Sequence, residues 1–186
     1  MIYAIDNFLS SELLTEFLED DLEFIEYPTP NKSFWVKPVA SDFDDYVINK
    51  IENFEQRSIE KILSFFREAK EGQDDSWRIH NDTIIMGEQP DRAIVLFMDS
   101  EDSKELNGTA FWEHNEYGET YTGEGSEEFD RMLLEDAEIK DKWTLKSVIG
   151  YKQNRLLSYP CNYFHSKYPN EFKQSRKVFV MFYKVN

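Results

Sequence analysis

Trp77-Arg78-Ile79-His80-Asn81-Asp82-Thr83-Ile84-Ile85 sets an imidazole and a carboxylate two residues apart in an apolar, β-prone run. Side chains two apart on a strand share a face, so a strand over 77–86 aims His80 and Asp82 at one place. A second histidine, His165, stands far downstream, and Arg176 opens a β-branched and aromatic run. Two neutral imidazoles and one carboxylate can hold one face of an iron(II) ion and leave its remaining positions open. Zinc hydrolases use similar ligands, and H-x-D alone is weak evidence. His114-Asn115-Glu116 repeats the spacing with a glutamate, so only context favours the first pair. His80 and Asp82 lie in a strand-like run, whereas Glu116 lies in a polar Tyr-Gly-Glu loop.

Outward from that stretch, the chain divides near Gly72. Before it, residues 2 to 5 read as a short strand, and Ser10 caps a helix running to about Asp20, with Leu9 placed to staple onto Leu14. Ser33 to Lys37 reads as another short strand. Phe43, Val47, Ile51 and Phe54, then Ile59, Ile62, Leu63 and Phe66, recur at three-to-four-residue intervals, which predicts one long helix or two consecutive ones ending near Gly72. After Gly72 the pattern turns to strands: 77–86; Arg92 to Met98, apolar enough to be buried on both faces; and Thr109 to Glu113 after the turn signal Asn107-Gly108. Residues 114 to 142 read as an insertion, with a helix starting at Ser126 and the 114–126 loop placed as a flap over a substrate. Strands follow over 143–151, 155–159 and 176–185, with His165 in a loop spanning 160–174. Helices first and strands after predict an α+β protein with supporting N-terminal helices packed on an antiparallel barrel or double-sheet roll. The expectation is one domain over 1–186, with helical support in 1–72 and the β core in 73–186.

With 186 residues, and 15 Phe, 10 Tyr and 4 Trp among them, the chain has ample material for one large core. Its 37 acidic and 21 basic residues leave a net charge of -16, which disfavours a nucleic-acid backbone or an anionic membrane as partner. A neutral, zwitterionic or basic small molecule, peptide or protein suits it better. The single cysteine, Cys161, excludes an internal disulfide and a cysteine-based zinc site. That usage, with no signal-like start and no apolar run of membrane-spanning length, predicts a cytoplasmic protein.

Taken in order, Trp77 to Asp82, the apolar Leu96-Phe97-Met98, Asn107 to Trp112, Asn154 to Pro160 running into His165, and Arg176 in the last strand resemble the iron(II)- and 2-oxoglutarate-dependent oxygenases, in their prolyl-4-hydroxylase-like branch. The resemblance covers residues 77 to 185. It implies a double-stranded β-helix, a cupin-like jelly roll, in which His80, Asp82 and His165 bind Fe(II) and Arg176 anchors the 5-carboxylate of 2-oxoglutarate. It also implies consumption of O2, release of succinate and CO2, and hydroxylation of an amino-acid, peptide or protein side chain. Tyr151, Asn154 and Tyr163 become candidates to hydrogen-bond the cosubstrate, and His114 and Trp112 candidates to touch the substrate. The glycine usual two residues before the anchoring arginine is Gln174 here, and the hydroxyl residue often found two after it is Val178. Two rival readings stand beside this one: a cupin-like metalloenzyme of other chemistry built on His114 and Glu116, and a metal-free jelly-roll binding module.

Overall fold

The computed structural model describes residues 1–19, 23–28, 33–69, 78–99, 108–121, 126–168 and 175–186. In chain order these form β1 (Tyr3–Ile5), α1 (Ser11–Glu19), β2 (Ile25–Pro28), β3 (Ser33–Lys37), α2 (Ser41–Glu55), β4 (Ile59–Ala69), β5 (Arg92–Phe97), β6 (Gly108–His114), α3 (Glu127–Glu135), β7 (Trp143–Ile149), β8 (Leu156–Pro160), β9 (His165–Tyr168) and β10 (Arg176–Val185). The architecture is the mixed α and β one expected, with antiparallel pairing between the strands. Seven strands run β1-β8-β5-β10-β4-β3-β2 in one sheet, and β7-β6-β9 make a second of three.

Each layer follows from which face of a strand is apolar. On β10, Phe179 and Met181 face α1 and α2, where they join Phe17, Val47, Ile51 and Phe66 in one core. Val178, Val180 and Phe182 alternate to the other face and look toward the small sheet. The strand β5 is apolar on both sides, as its uninterrupted run predicts: Ile94 and Leu96 enter the helix-side core, Ala93, Val95 and Phe97 the inter-sheet one. A third core lies under α3, on the outer face of the small sheet, around Ala110, Trp112, Phe129, Met132 and Trp143. Capping is as the sequence indicates. Ser10 Oγ accepts from the Leu13 N–H at 3.3 Å, and Ser126 Oγ from the Phe129 N–H at 3.1 Å.

Three expectations are corrected. Residues 59–69 are a strand and not a helix, because α2 ends at Gln56, which takes the left-handed conformation at φ 56° and turns the chain. The helical spacing of Ile59, Ile62, Leu63 and Phe66 is produced by a β-bulge. Between Phe182 and Tyr183 the pairing steps from Leu63 to Lys61, leaving Ile62 as the extra residue. The phase flip puts Ile59 and Phe66 on the helix side and Leu63 and Phe65 on the other, which mimics a 3.6 period. His165 begins a strand instead of sitting in a loop, since β9 pairs with β6 through Phe111↔His165 and Gly108↔Tyr168. The stretch after Gly72 lacks a ladder over its described part: His80 makes one isolated bridge, and Ile85 pairs only with Glu88 across a tight turn. Trp77, Asn107 and Gln174 lie outside the described residues. No described helix is long and apolar enough to cross a membrane.

Candidate metal centre

The segment carrying His80 is pinned at three of its residues, and this does the work expected of a strand. Ile79 N–H donates to the Ala137 carbonyl at 3.0 Å, His80 and His165 exchange two backbone hydrogen bonds at 3.0 and 2.8 Å, and Asp82 N–H donates to the Cys161 carbonyl at 2.8 Å. The side chains of His80, Asp82 and His165 therefore meet, with one ligand atom from each lying within 4.8 Å of the others.

The protonation of the two imidazoles follows from their partners. His80 Nδ1 lies 2.8 Å from the Arg78 carbonyl oxygen and His165 Nδ1 lies 3.0 Å from the Tyr163 carbonyl oxygen. A carbonyl can only accept, so both Nδ1 atoms carry a proton, and in the neutral ring each Nε2 presents a lone pair. Those lone pairs converge on a carboxylate: His165 Nε2 is 3.2 Å from Asp82 Oδ2, and His80 Nε2 is 3.7 Å from Asp82 Oδ1. Lone pairs arranged this way repel one another unless a cation sits among them. Backbone carbonyls fixing the tautomer of ligating imidazoles are the usual support of such a cation. The donor set thus fits a divalent ion, and two imidazoles with one carboxylate suit iron(II).

With no ion at the centre, burial works to raise the Asp82 carboxyl, but the charge and hydrogen bond that His165 offers once its Nε2 is also protonated, then the charges of His80 in the same state and of Arg67, outweigh it and hold the group below its ordinary value. Tyr159 OH lies 3.1 Å from His165 Nε2 and donates to its lone pair. Burial, and then the Asp82 charge, push that phenol far above its ordinary range, so it stays a neutral donor. The His80 side chain is 41% exposed, against 14% for Asp82 and 7% for His165, so the centre opens to solvent on the His80 side.

A cleft of about 360 Å³ between the sheets contains the three side chains, within the size range of small-ligand sites. Its wall on the large sheet is built in cross-strand rows: Tyr159, Ala93, Phe182 and Leu63; then Leu157, Val95, Val180 and Phe65; then Phe97, Val178 and Arg67; and finally Arg176 beside Ala69. The Arg176 guanidinium lies 5.5 Å from the centre of the Phe97 ring and that of Arg67 lies 4.7 Å from the Phe34 ring. Arg176 shares its face with Val178, Val180 and Phe182, as period two predicts, while Lys177 turns to the other side, toward Phe24.

Several expected site residues are elsewhere. Asn154 is a clamp for the N-terminal segment. At φ 59°, it accepts from Leu9 N–H at 2.7 Å and donates to the Leu9 carbonyl at 3.0 Å, both buried. Asn154→Ala is expected to destabilise the fold by about 2 kcal/mol, measured by urea unfolding, while leaving 2-oxoglutarate binding unchanged. Tyr151 packs its ring 5.3 Å from Phe97 and donates its hydroxyl to the Asp99 carbonyl. Tyr163 acts through its carbonyl, which orients His165, and its ring packs at the edge of the inter-sheet core. None of these three side chains lines the cleft.

His114 and Trp112 alternate to the outer face of β6, away from the cleft, whereas Thr109 lines the cleft from its inner face. His114 is buried: its Nδ1 accepts from the Glu116 and Tyr117 N–H groups at 3.2 Å, so its Nε2–H faces Asp136 at 3.1 Å. With both nitrogens engaged and Glu116 exposed, no metal-ligating cluster forms at the rival site among the described residues. The loop it begins packs Tyr117 and Tyr121 under α3, so over 114–121 it is no flap across the cleft; residues 122–125 lie outside the description. Cys161 serves Asp82 through its carbonyl, and burial raises its thiol so that it stays protonated.

Lining residues that the sequence reading missed are Arg67, Thr109, Tyr159 and Lys167. Tyr159 alone carried a signal, sharing a face with Leu157 in an apolar run. Beside the cleft, burial pushes the Asp99 carboxyl up to about 6, against the pull of the Lys177 N–H and the Arg176 charge. The folded state then holds that proton where the unfolded chain has lost it, so stability falls as pH rises from about 4 to 6. Asp99→Asn is expected to flatten that fall and to add about 2 kcal/mol above pH 6, read from urea unfolding at pH 4.5 and 7.5.

No protein-family model matches the sequence, and no curated protein is similar to it in sequence. Among solved structures, the fold is similar to that of the non-heme α-ketoglutarate dependent carbocyclase SnoK from nogalamycin biosynthesis, with a TM-score of 0.67 at 10% identity over 100% of this chain and 79% of that one. It is similar to a Pseudomonas putida prolyl-4-hydroxylase, with a TM-score of 0.57 at 10% identity over 100% and 92% of the two chains. HygX from Streptomyces hygroscopicus, solved with nickel and 2-oxoglutarate bound, gives a TM-score of 0.60 at 12% identity over 98% and 82%. The chain therefore has the fold that these proteins share.

Proposed function

We propose that the chain is a non-haem Fe(II)- and 2-oxoglutarate-dependent oxygenase, working as one domain whose two facing sheets form a double-stranded β-helix. The observation that carries the reading is the convergence of two Nε2 lone pairs and the Asp82 carboxylate inside a cleft that also receives an arginine. The fold neighbours, among them a prolyl-4-hydroxylase and a protein with 2-oxoglutarate bound, support it.

His80, Asp82 and His165 hold the metal, and Arg176 pairs with the distal carboxylate of 2-oxoglutarate. When bound, Fe(II) and 2-oxoglutarate supply the oxidising chemistry: O2 is consumed, the cosubstrate is split to succinate and CO2, and one oxygen atom enters a substrate C–H bond. The Arg78 and Tyr163 carbonyls keep both imidazoles in the ligating tautomer. Tyr159 keeps a neutral hydroxyl facing the centre, and its hydrogen bond to His165 Nε2 would be released when a metal takes that lone pair. Val95, Val178, Val180 and Phe182 exclude water from the wall behind the cosubstrate. The substrate is a small molecule, a peptide or a protein side chain, entering from the open His80 side.

Fe(II)- and 2-oxoglutarate-dependent succinate release by purified protein tests the reading, measured with and without candidate substrates. The reading predicts slow release that needs both additions and is lost in Asp82→Ala. Release that persists in Asp82→Ala contradicts it.

A further inference from the structure

We propose that Asp99 is a positioning residue for the cosubstrate, fixing the backbone beside Arg176 and coupling the binding of 2-oxoglutarate to the uptake of a proton; the proposal rests on the oxygenase reading above and deepens it. Asp99 lies just past the end of β5, where the ladder with β10 runs out. The last pair is Val178↔Phe97, and the same register carried two residues farther sets Asp99 opposite Arg176. Met98 N–H still donates to the Lys177 carbonyl at 3.0 Å. The return bond of that pair goes to a side chain, since Lys177 N–H donates to Asp99 Oδ2 at 2.7 Å. The peptide group joining Arg176 to Lys177 is therefore held by the Asp99 carboxyl. The Tyr151 hydroxyl donates to the Asp99 carbonyl, so Asp99 is tied at both its backbone and its side chain.

This clamp is also an ionisable group next to the anchoring cation. Burial pushes the carboxyl up to about 6, against the Lys177 N–H and the charges of Arg176 and Lys177 on β10, and Glu68 on β4 adds to the rise. On the turn between β7 and β8, Arg155 is committed to Asp6, 2.6 Å away. A 2-oxoglutarate carboxylate on Arg176 offsets the guanidinium charge and brings another anion near Asp99. Both changes favour the protonated carboxyl, so its titration moves higher in the complex. The protonated group keeps the clamp, because its carbonyl oxygen still accepts the Lys177 N–H. By linkage, 2-oxoglutarate binds most tightly where Asp99 is protonated, and its affinity falls as pH rises from about 6 to about 7. A displacement of about one pH unit corresponds to a change of about tenfold in affinity.

The test is calorimetric titration of 2-oxoglutarate into full-length protein saturated with Mn(II). Proton uptake is read at about pH 6.5 from buffers of different ionisation heat, and dissociation constants at about pH 5.5 and pH 8. In Asp99→Asn the amide stands in for the protonated carboxyl. Wild type is expected to take up about half a proton more per bound 2-oxoglutarate than this variant, and its dissociation constant to rise about tenfold relative to the variant's between the two pH values. Asp99→Ala also removes the acceptor and is expected to bind 2-oxoglutarate about fivefold more weakly than Asp99→Asn at either pH. The control ligand is 2-oxopentanoate, a 2-oxo acid without the second carboxylate, for which the ratio of wild type to Asp99→Asn is expected to stay constant with pH. Equal pH profiles in wild type and Asp99→Asn, or equal affinities in the Asn and Ala variants, overturn the proposal and leave the oxygenase reading intact. A pH-dependent ratio for 2-oxopentanoate overturns it as well, by placing the coupling at the metal end of the ligand. Should either variant fail to fold, wild type alone decides: proton uptake with 2-oxoglutarate that is no greater than with 2-oxopentanoate contradicts the proposal. No binding of 2-oxoglutarate by the wild type sinks the oxygenase reading, and this proposal with it.

Discussion

His165→Ala is expected to lower 2-oxoglutarate-dependent succinate release by about a thousandfold or more, equivalent to about 4 kcal/mol of transition-state stabilisation. The size follows from the donor count. Without His165 the centre keeps one imidazole, 41% exposed, and one carboxylate. Asp82 also loses its nearer imidazole, whose Nε2 lies 3.2 Å from Oδ2. Equilibrium dialysis against Fe(II) under argon separates loss of the metal from loss of turnover, and both are expected. Tyr159→Phe provides the scale: it removes a donor that faces His165 and no ligand, so about tenfold is expected. His114→Ala is expected to destabilise the protein through the buried contacts to Asp136, Tyr117 and Trp143 while leaving Fe(II) binding intact.

Arg176→Ala is expected to weaken 2-oxoglutarate about a hundredfold, with Fe(II) binding in its absence unchanged. A guanidinium meeting a carboxylate makes two parallel charge-assisted hydrogen bonds in a partly desolvated cleft, which together are worth about 3 kcal/mol. Ala69 stands opposite Arg176 across the pair of strands, so its strand partner offers no charge in its place. Arg176→Lys restores charge without the fork and is expected to recover only part of the affinity. Titration of 2-oxoglutarate into Mn(II)-loaded protein measures all three. A wild-type dissociation constant in Arg176→Ala would move the anchor elsewhere in the cleft.

The parts of this site legible in the sequence are those where one local rule decides the outcome. Alternation alone assigns Arg176 to the face of Val178, Val180 and Phe182, and Lys177 to the other. His80 and Asp82 reach one point because Ile79, His80 and Asp82 are pinned to Ala137, His165 and Cys161, even though no continuous ladder forms. What the sequence hides depends on the rest of the fold. The bulge at Ile62 gives a strand the spacing of a helix, and with β4 misread, Arg67 has no face and the second cation of the wall is invisible. Asn154 has the amide chemistry of a ligand-binding residue, and only its left-handed backbone and the passage of Leu9 beside it make it a clamp. His114-Asn115-Glu116 copies the H-x-D spacing, but its imidazole lies on the outer face of β6 beneath α3, where backbone N–H groups and Asp136 occupy both nitrogens.

The most direct measurement is anomalous diffraction from crystals grown with Mn(II) and 2-oxoglutarate. One strong peak is predicted about 2.0 to 2.2 Å from His80 Nε2, an Asp82 carboxylate oxygen and His165 Nε2. A peak at His114 and Asp136, or no peak inside the cleft, would contradict the metal centre and the oxygenase assignment with it.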